Sequence, residues 1–154
     1  MFVAAVDVDR LTVTVREARD GAELDAAMAL RIKVFCGEQG VDEEEERDDL
    51  DEEATQIVAV DEAGVIATCR LRFLEDGGVC KLERMVVERR LRDLGVGSRL
   101  LAGAEAAARE RGAREMLLHA QRRAEGFYAA QGYAPEGETF MDAGIEHIAM
   151  RKGL

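Results

Sequence analysis

The feature that most constrains this chain is a strand, turn and helix pattern over residues 86–99, VVERRLRDLGVGSR. An apolar strand ends there, a basic turn follows, and Gly95 and Gly97 open a long helix. Backbone N–H groups at a helix N-terminus are unpaired and lie at the positive end of the helix dipole, and glycines let an anion approach the backbone. The segment predicts a phosphate-ester site, although an ordinary helix start with solvated arginines also fits the pattern.

Two common nucleotide-binding motifs do not fit this turn. A dinucleotide fingerprint needs a third glycine at position 100, where Leu100 stands, and it needs a parallel unit around it. A P-loop needs Gly-Lys-Ser or Gly-Lys-Thr after the glycines, and the chain contains neither. The predicted anion site is therefore of another kind.

The hydrophobic periodicity predicts one α/β domain over residues 1–154, with a mixed, mostly antiparallel sheet flanked by helices in the order β-α-βββ-α-β-α-ββ. Asp20 with Glu23 is a capping-box pattern that starts the first helix, and Gly37 is its expected end. The predicted strands are 11–15, 56–60, 65–73, 79–87, 116–120, 139–141 and 145–150, and the later helices are 95–111 and 124–131. Residues 1–10 are interpreted as an edge strand or a loose tail.

The net charge of −11 is concentrated in one segment. Residues 42–53 contain ten of the 32 acidic residues and one of the 21 basic ones, so the rest of the chain has a net charge of −2. This balance argues against a general nucleic-acid binder, which needs a basic face. We interpret the acidic segment as a loop or frayed helix, either attracting a cationic amine or forming a solvated, mobile loop.

Other composition features exclude further classes. No window approaches the roughly 20 apolar residues needed to span a membrane, so we expect no membrane association. The three cysteines contain no CxxC pair, which argues against a zinc site or a disulfide framework and favours a reducing cytoplasm. His119 and His147 have no acidic partner at metal spacing, so no metal is expected and a core or hydrogen-bonded role is favoured for both.

Several segments resemble the GNAT superfamily of acyl-CoA-dependent N-acyltransferases. RDLGVG (92–97) looks like the family's (Q/R)xxGx(G/A) loop, KLERMVVERR (81–90) its fourth strand, and AQRRAEGFYAAQGY (120–133) its NxxAxxFYxxxGF signature. RIKVFCGEQGVDEEE (31–45) and ETFMDAGIEHIAM (138–150) resemble the ElaA-like branch. The element order is similar over nearly the whole chain, so the resemblance implies a single GNAT-type domain.

This resemblance implies how acetyl-CoA, the expected acyl donor, would be held. The pantetheine arm would pair with the backbone of Met85, Val86 and Val87 as an added strand. Gln121 stands where the family usually has Asn and would contact the same arm. The diphosphate would bind the amides of one continuous turn, namely Arg92, Asp93, Leu94, Gly95, Val96, Gly97 and Ser98.

The resemblance also implies the catalytic roles in a direct attack of an amine on the thioester. Tyr128 would protonate the departing thiolate, although a tyrosine beside Phe127 on an amphipathic helix is also a typical core residue. The attacking amine must lose a proton, and alternation along the strand predicts that Glu83 faces the same side as Met85 and Val87. We interpret Glu83 as the base acting through water, or alternatively as a strand carboxylate paired with Lys81 or Arg84.

The acceptor is interpreted as a small-molecule or peptide amine. The branch resemblance places Glu38, Gln39 and His147 at the acceptor pocket. Three other functions stay open: a catalytically silent CoA-binding sensor or partner module of the same fold, an acidic interaction protein without a cofactor, and an acyl-homoserine-lactone-type synthase. A homodimer is left open as well.

Overall fold

The computed structural model describes residues 12–154, which form a seven-stranded sheet with strand order β1-β2-β3-β4-β5-β7-β6. The strands are β1 (Thr14–Glu17), β2 (Thr55–Asp61), β3 (Gly64–Leu74), β4 (Val79–Val87), β5 (Glu115–Gln121), β6 (Ala134–Asp142) and β7 (Ile145–Gly153). The helices are α1 (Gly21–Arg31), continued by a π-helical segment (Ile32–Glu38), α2 (Glu43–Glu46), α3 (Val96–Glu110) and α4 (Glu125–Ala130). The β4–β5 pair is parallel and the other pairs are antiparallel. The predicted fold class and element order are confirmed, with α2 as an added short helix.

Element boundaries differ from the predictions at several places. The first strand lies at Thr14–Glu17 rather than 11–15, and residues 1–10, predicted as an edge strand or tail, lie outside the described residues. The first helix does not stop at Gly37 but passes at Ile32 into the π-helical segment. β6 starts five residues earlier than predicted, because a register shift between Glu136 and Phe140 lets it pair with β7 on both sides of the irregularity.

The start of α1 follows from its sequence. The Asp20 carboxylate accepts a hydrogen bond from the Glu23 amide at 2.9 Å, as expected for an N-cap residue. Glu23 in turn accepts from the Arg19 amide at 2.8 Å and from the Arg16 guanidinium at 2.7 Å. The bond to the Glu23 amide satisfies a donor that the first helical turn leaves unpaired. Within residues 12–154 no helix is long and apolar enough to cross a membrane.

The sheet has two differently packed faces. The face covered by α3 is apolar, and its core includes Leu100 and Leu101 from the helix with Cys69, Leu71 and Leu82 from the sheet. The opposite face, covered by α1, has a smaller apolar cluster of Leu30, Val34 and Val86. Beside that cluster lie the buried arginines Arg31 and Arg70, so the α1 face combines apolar and ionic contacts.

The acidic segment contacts the α1 face through three of its carboxylates, while most of its other side chains are exposed. Arg31, only 2% exposed, bonds through Nε to Glu46 at 2.7 Å and through a terminal nitrogen to Asp51 at 2.6 Å. Arg70 of β3, fully buried, bonds to Asp48 at 2.6 Å. The segment is a short helix followed by turns, in agreement with the loop or frayed-helix interpretation. The solvated alternative is wrong for Glu46, Asp48 and Asp51, because two buried guanidinium groups hold their carboxylates.

Candidate active site

The parallel strands β4 and β5 separate part-way along their length. Residues 79–82 pair with residues 115–118, yet β4 continues to Val87 and β5 to Gln121. Beyond the paired residues, the two strands diverge around a cavity of about 820 Å³. Unpaired strand edges of this kind can accept an extended ligand as an added strand. The gap therefore leaves a free strand edge that an extended ligand could pair with.

A β-bulge in β4 creates this divergence. Arg70 of β3 lies opposite Glu83, and Thr68 lies opposite Val86, so β4 has one residue more than β3 over the same stretch. Arg84 occupies the bulge with a φ of 55°, which is in the left-handed region. An extra residue bends the strand and increases its local twist, which turns the rest of β4 away from β5.

The bulge reverses the predicted orientation of Glu83. Alternation along a regular strand would place it on the same side as Met85 and Val87. The register instead places Glu83 on the same face as Val86, which packs against α1, whereas Met85 and Val87 pack toward the α3 core. The predicted orientation of Glu83 was wrong, because the sequence gives no sign of the added residue in β4.

The Glu83 carboxylate borders the cavity but is held by cations. It accepts hydrogen bonds from Arg70 at 3.1 Å and from Arg72, and Lys81 lies 3.9 Å away. Burial alone would raise the pKa of Glu83, but the Arg72 hydrogen bond and the nearby charges of Arg70 and Lys81 lower it. A carboxylate with a lowered pKa is a weaker base.

The turn before α3 presents the predicted backbone donors. Within residues 12–154 no acceptor takes a hydrogen bond from the six consecutive amides of residues 93–98. Asp93 and Gly95 have φ values of 63° and 87°, both in the left-handed region. A glycine such as Gly95 adopts this conformation at little cost. Successive unpaired N–H groups in such a turn, together with the positive end of the α3 dipole, form a concave site for an anion.

Arg92 differs from the rest of the turn. Its amide donates to the Arg89 carbonyl at 3.3 Å, so this amide is already partly used. Its guanidinium donates to the Val87 carbonyl at 3.0 Å and to both carboxylate oxygens of Glu38, at 2.7 and 3.0 Å. The predicted anion-binding role of Arg92 therefore falls to the neighbouring amides, and Arg92 fixes the end of β4.

Tyr128 lies on α4, on the α3 side of the gap. Its ring is buried and packs edge-on against Phe127 and Tyr133 at 5.1 and 5.9 Å. Its hydroxyl donates to the Met85 sulfur at 3.5 Å, and a thioether is a weak acceptor. Burial raises the pKa of Tyr128, so the phenol stays protonated and its hydrogen is available to a stronger acceptor that enters the gap.

Comparisons with known proteins agree with this geometry. The model of the GNAT acetyltransferase domain family matches residues 18–154. The chain belongs to the GNAT acetyltransferase family. The uncharacterized N-acetyltransferase YjcF of Bacillus subtilis (strain 168) is 38% identical over 136 residues, which cover 88% of this chain and 96% of YjcF.

Solved structures share the GNAT fold of this chain. An acyl-CoA N-acyltransferase from Pseudomonas aeruginosa is 27% identical, with a TM-score of 0.78, and the match covers 92% of this chain and 99% of that one. Escherichia coli ElaA superposes with a TM-score of 0.80 at 22% identity over the same shares of the two chains.

The predicted acceptor residues of this GNAT domain separate into two positions. Gln39 accepts a hydrogen bond from Gln121 at 2.8 Å, so the end of the π-helical segment is joined to the end of β5. Glu38 instead lies at the donor turn, where the hydrogen bond from Arg92 lowers its pKa. The prediction that Glu38 faces the acceptor is therefore not supported, because its carboxylate is already held by Arg92.

His147 joins the two ends of the site. It lies on β7 opposite Gln121 of β5 and Phe140 of β6, and it stacks on Phe140 at 5.9 Å. It borders both the large cavity and a smaller one of about 380 Å³, which also contacts α2 and the β6–β7 turn. The structure brings His147, Gln39 and Gln121 together at the boundary between these cavities.

Several residues that border the large cavity were missed. His119, expected to be a core or hydrogen-bonded residue, is exposed to the cavity and packs edge-on against Phe140 at 5.0 Å. Partial burial of its ring against neighbouring side chains, followed by the charge of Lys81, lowers the pKa of His119. Asp142 also lines both cavities. Alternation along β5 places His119 and Gln121 on one face, and this signal could have found His119.

The described residues offer no metal centre. Within residues 12–154 no group of three or more His, Cys, Asp or Glu side chains is arranged to hold a metal ion. All three cysteines are unpaired; Cys69 and Cys80 are buried among apolar residues, and Cys36 is partly exposed. Burial raises the pKa of Cys80 to about 12, so its thiol is a poor nucleophile.

Proposed function

We propose that this GNAT protein transfers an acyl group from acyl-CoA, with acetyl-CoA as the donor, to a primary amine by direct attack. The observation that carries the proposal is the gap between β4 and β5, which is open at one end to six unpaired amides. A thioester ligand with a long polar arm and a diphosphate needs both features at once. Few other small ligands need an added-strand edge next to an anion site.

The donor would lie along the gap with its diphosphate on the amides of residues 93–98. These donors are already oriented, so little ordering cost is added on binding. The pantetheine amides would pair with the free edge of β4 at Met85 and Val87, as in β-augmentation. The thioester then lies near the Tyr128 hydroxyl, because that hydroxyl contacts Met85.

The reaction balances without a covalent enzyme intermediate. The amine nitrogen attacks the thioester carbonyl carbon, a C–N bond forms, and the C–S bond breaks. Tyr128 gives its hydroxyl proton to the thiolate, whose basicity rises in the same buried surroundings that raise the pKa of the phenol. The amine proton goes to a base on the acceptor side of the gap.

Two measurements test the donor half of the proposal. Calorimetry with acetyl-CoA should show binding, and a thiol-release assay over a panel of primary amines should show acceptor-dependent turnover. Binding without turnover for any amine in the panel would favour the silent CoA-binding module. No heat of binding with acetyl-CoA or CoA would contradict the proposed function itself.

Replacing Tyr128 by Phe tests its role as the acid. Turnover should fall by roughly 10²- to 10⁴-fold, because a positioned acid contributes about that much, while CoA affinity stays within about twofold. Tyr133→Phe is the matched control, since Tyr133 is also buried but its hydroxyl donates to Glu105 at 2.8 Å, away from the gap. Equal turnover in the Tyr128→Phe variant and the unmodified protein would remove the acid role.

A further inference from the structure

We infer that His147 is the group that accepts the proton of the attacking amine, through Nε2, at the boundary between the two cavities. This inference rests on the proposed function and adds to it the base that the reaction needs. It replaces the sequence-based assignment of Glu83. Four observations support it: the hydrogen bond at Nδ1, the unpaired Nε2, the position of the ring, and the state of the competing groups.

The hydrogen bond at Nδ1 fixes the tautomer. Nδ1 lies 2.6 Å from the Ile145 carbonyl oxygen, and a carbonyl only accepts, so Nδ1 must be the protonated nitrogen. Nε2 of the neutral ring then has a lone pair. Within residues 12–154 no donor reaches that lone pair, although His147 is only 8% exposed. Nε2 itself is not fully buried, so its lone pair is open to the cavities that His147 lines.

The ring is held in one orientation. Phe140 stacks on one face at an interplanar angle of 21°, and the β5–β7 ladder holds the backbone of His147 opposite Gln121. Gln121 is in turn bonded to Gln39, so three elements converge on this position. Effective proton transfer requires such positioning before the pKa of the base matters.

The ring also lies where an acceptor must pass. Six residues line both cavities: Phe35, Gln39, Arg84, Gln121, Asp142 and His147. The large cavity contains the gap for the thioester, and the smaller one reaches the surface formed by α2 and the β6–β7 turn. An amine that enters through the smaller cavity would meet His147 on its way to the thioester.

Charges around the smaller cavity favour a cationic amine. Arg84 is neutralised by Glu46 at 3.0 Å and by Asp48 at 3.2 Å. Glu45 and Asp142 line the same cavity, and within residues 12–154 their carboxylates form no ion pair. An ammonium group is therefore attracted to this opening and then needs a neutral imidazole to take its proton.

The competing bases are less suitable. Glu83 is bonded to two arginines, and because of the bulge its side chain lies on the opposite face of β4 from Met85. His119 borders only the large cavity and lies beside Lys81, whose charge opposes protonation of the ring. Neither group borders the opening through which the acceptor would enter.

The first test separates proton transfer from folding and from donor binding. His147→Gln should reduce acetyl-CoA thiol release with benzylamine by roughly 10²- to 10⁴-fold, while calorimetry shows an unchanged affinity for acetyl-CoA. With hydroxylamine, which is unprotonated at neutral pH, the loss should be less than tenfold. His147→Ala should regain turnover when imidazole is added. His119→Gln should lose less than tenfold with benzylamine.

Two outcomes of this test would overturn the inference. One is an equal loss with benzylamine and hydroxylamine, and the other is a larger loss in His119→Gln than in His147→Gln. Neither outcome affects the proposed function, which fails if acetyl-CoA does not bind or if no amine in the panel gives turnover.

The second test needs no acceptor. The chain has only two histidines, so the ¹⁵N spectrum of histidine-labelled protein with acetyl-CoA is assigned by comparison with His119→Gln. The inference requires Nδ1 of His147 to be protonated and Nε2 to be unprotonated. A spectrum that shows the proton on Nε2 would exclude proton acceptance at that atom.

Discussion

On the side of the sheet covered by α3, apolar residues such as Leu101 and Met116 are packed with almost no exposure. On the side covered by α1, Arg70 is buried just as deeply, with carboxylates as its partners. Apolar packing is non-directional, whereas ion pairs between buried groups depend on geometry and on every partner being present. We therefore expect the packing under the proposed donor side of the site to tolerate single substitutions better than the ion pairs under the acceptor side.

The ionic support reaches the bulge that opens the gap. The Arg84 guanidinium forms an ion pair with the Glu46 carboxylate at 3.0 Å, and Glu46 also accepts a hydrogen bond from Arg31. The acidic segment therefore links α1 to the irregular part of β4. Its charge acts within the fold in addition to any effect on a cationic acceptor.

The largest effect is expected from removing one of the buried cations. Arg70→Ala should lower the free energy of unfolding by roughly 3–5 kcal/mol, because Asp48 and Glu83 lose a partner while they remain partly buried. Urea denaturation measures this change. Arg47→Ala is the control, since its pair with Glu43 is exposed and should contribute less than about 0.5 kcal/mol.

A loss below about 1 kcal/mol in Arg70→Ala would contradict the comparison. It would mean that water enters the α1 side readily and replaces the ion pairs. The two faces would then differ in composition but not in what each contributes to stability.

A smaller loss is expected on the apolar side. Leu101→Ala should lower the free energy of unfolding by about 3 kcal/mol, through lost burial and a residual cavity. Its effect should be the same at pH 7 and at pH 4, since no titratable group is involved. A Leu101→Ala effect that changes strongly between these two pH values would show that the two faces are not independent.

The sequence predicted the donor side better than the acceptor side, for physical reasons. Gly95 and Gly97 mark a turn before a strongly periodic helix, and such local signals fix local structure. The bulge has no such mark, because Arg84 adopts a positive φ where a glycine would be expected. One added residue was enough to make the predicted orientation of Glu83 wrong.

The ion network was missed although its signals were visible. Arg31 interrupts the apolar stripe of α1, and Arg70 interrupts an apolar strand, which is typical of a buried cation with a partner. The dense acidic segment between them supplies the partners. Pairing them requires three-dimensional proximity between residues up to 22 positions apart, and neither propensity nor periodicity gives this.

The smallest of these effects is a pH dependence confined to the ionic side. Burial alone would raise the pKa of Asp48, but hydrogen bonds from Arg70 and the Leu50 amide lower it to about 2 from 3.8. A carboxyl with a lowered pKa in the folded state stabilises the fold above pH 3.8, and this contribution, roughly 2 kcal/mol, is lost as the pH falls toward 2. Burial raises the pKa of Glu46, so its contribution to stability changes with pH in the opposite direction and offsets part of this loss.

Unfolding measured from pH 6 to pH 2 should therefore be less pH-dependent in Asp48→Asn than in a variant of its exposed neighbour, Asp49→Asn. Equal slopes in the two variants would mean that Asp48 stays hydrated and that the acidic segment contributes less to the α1 face than its contacts indicate.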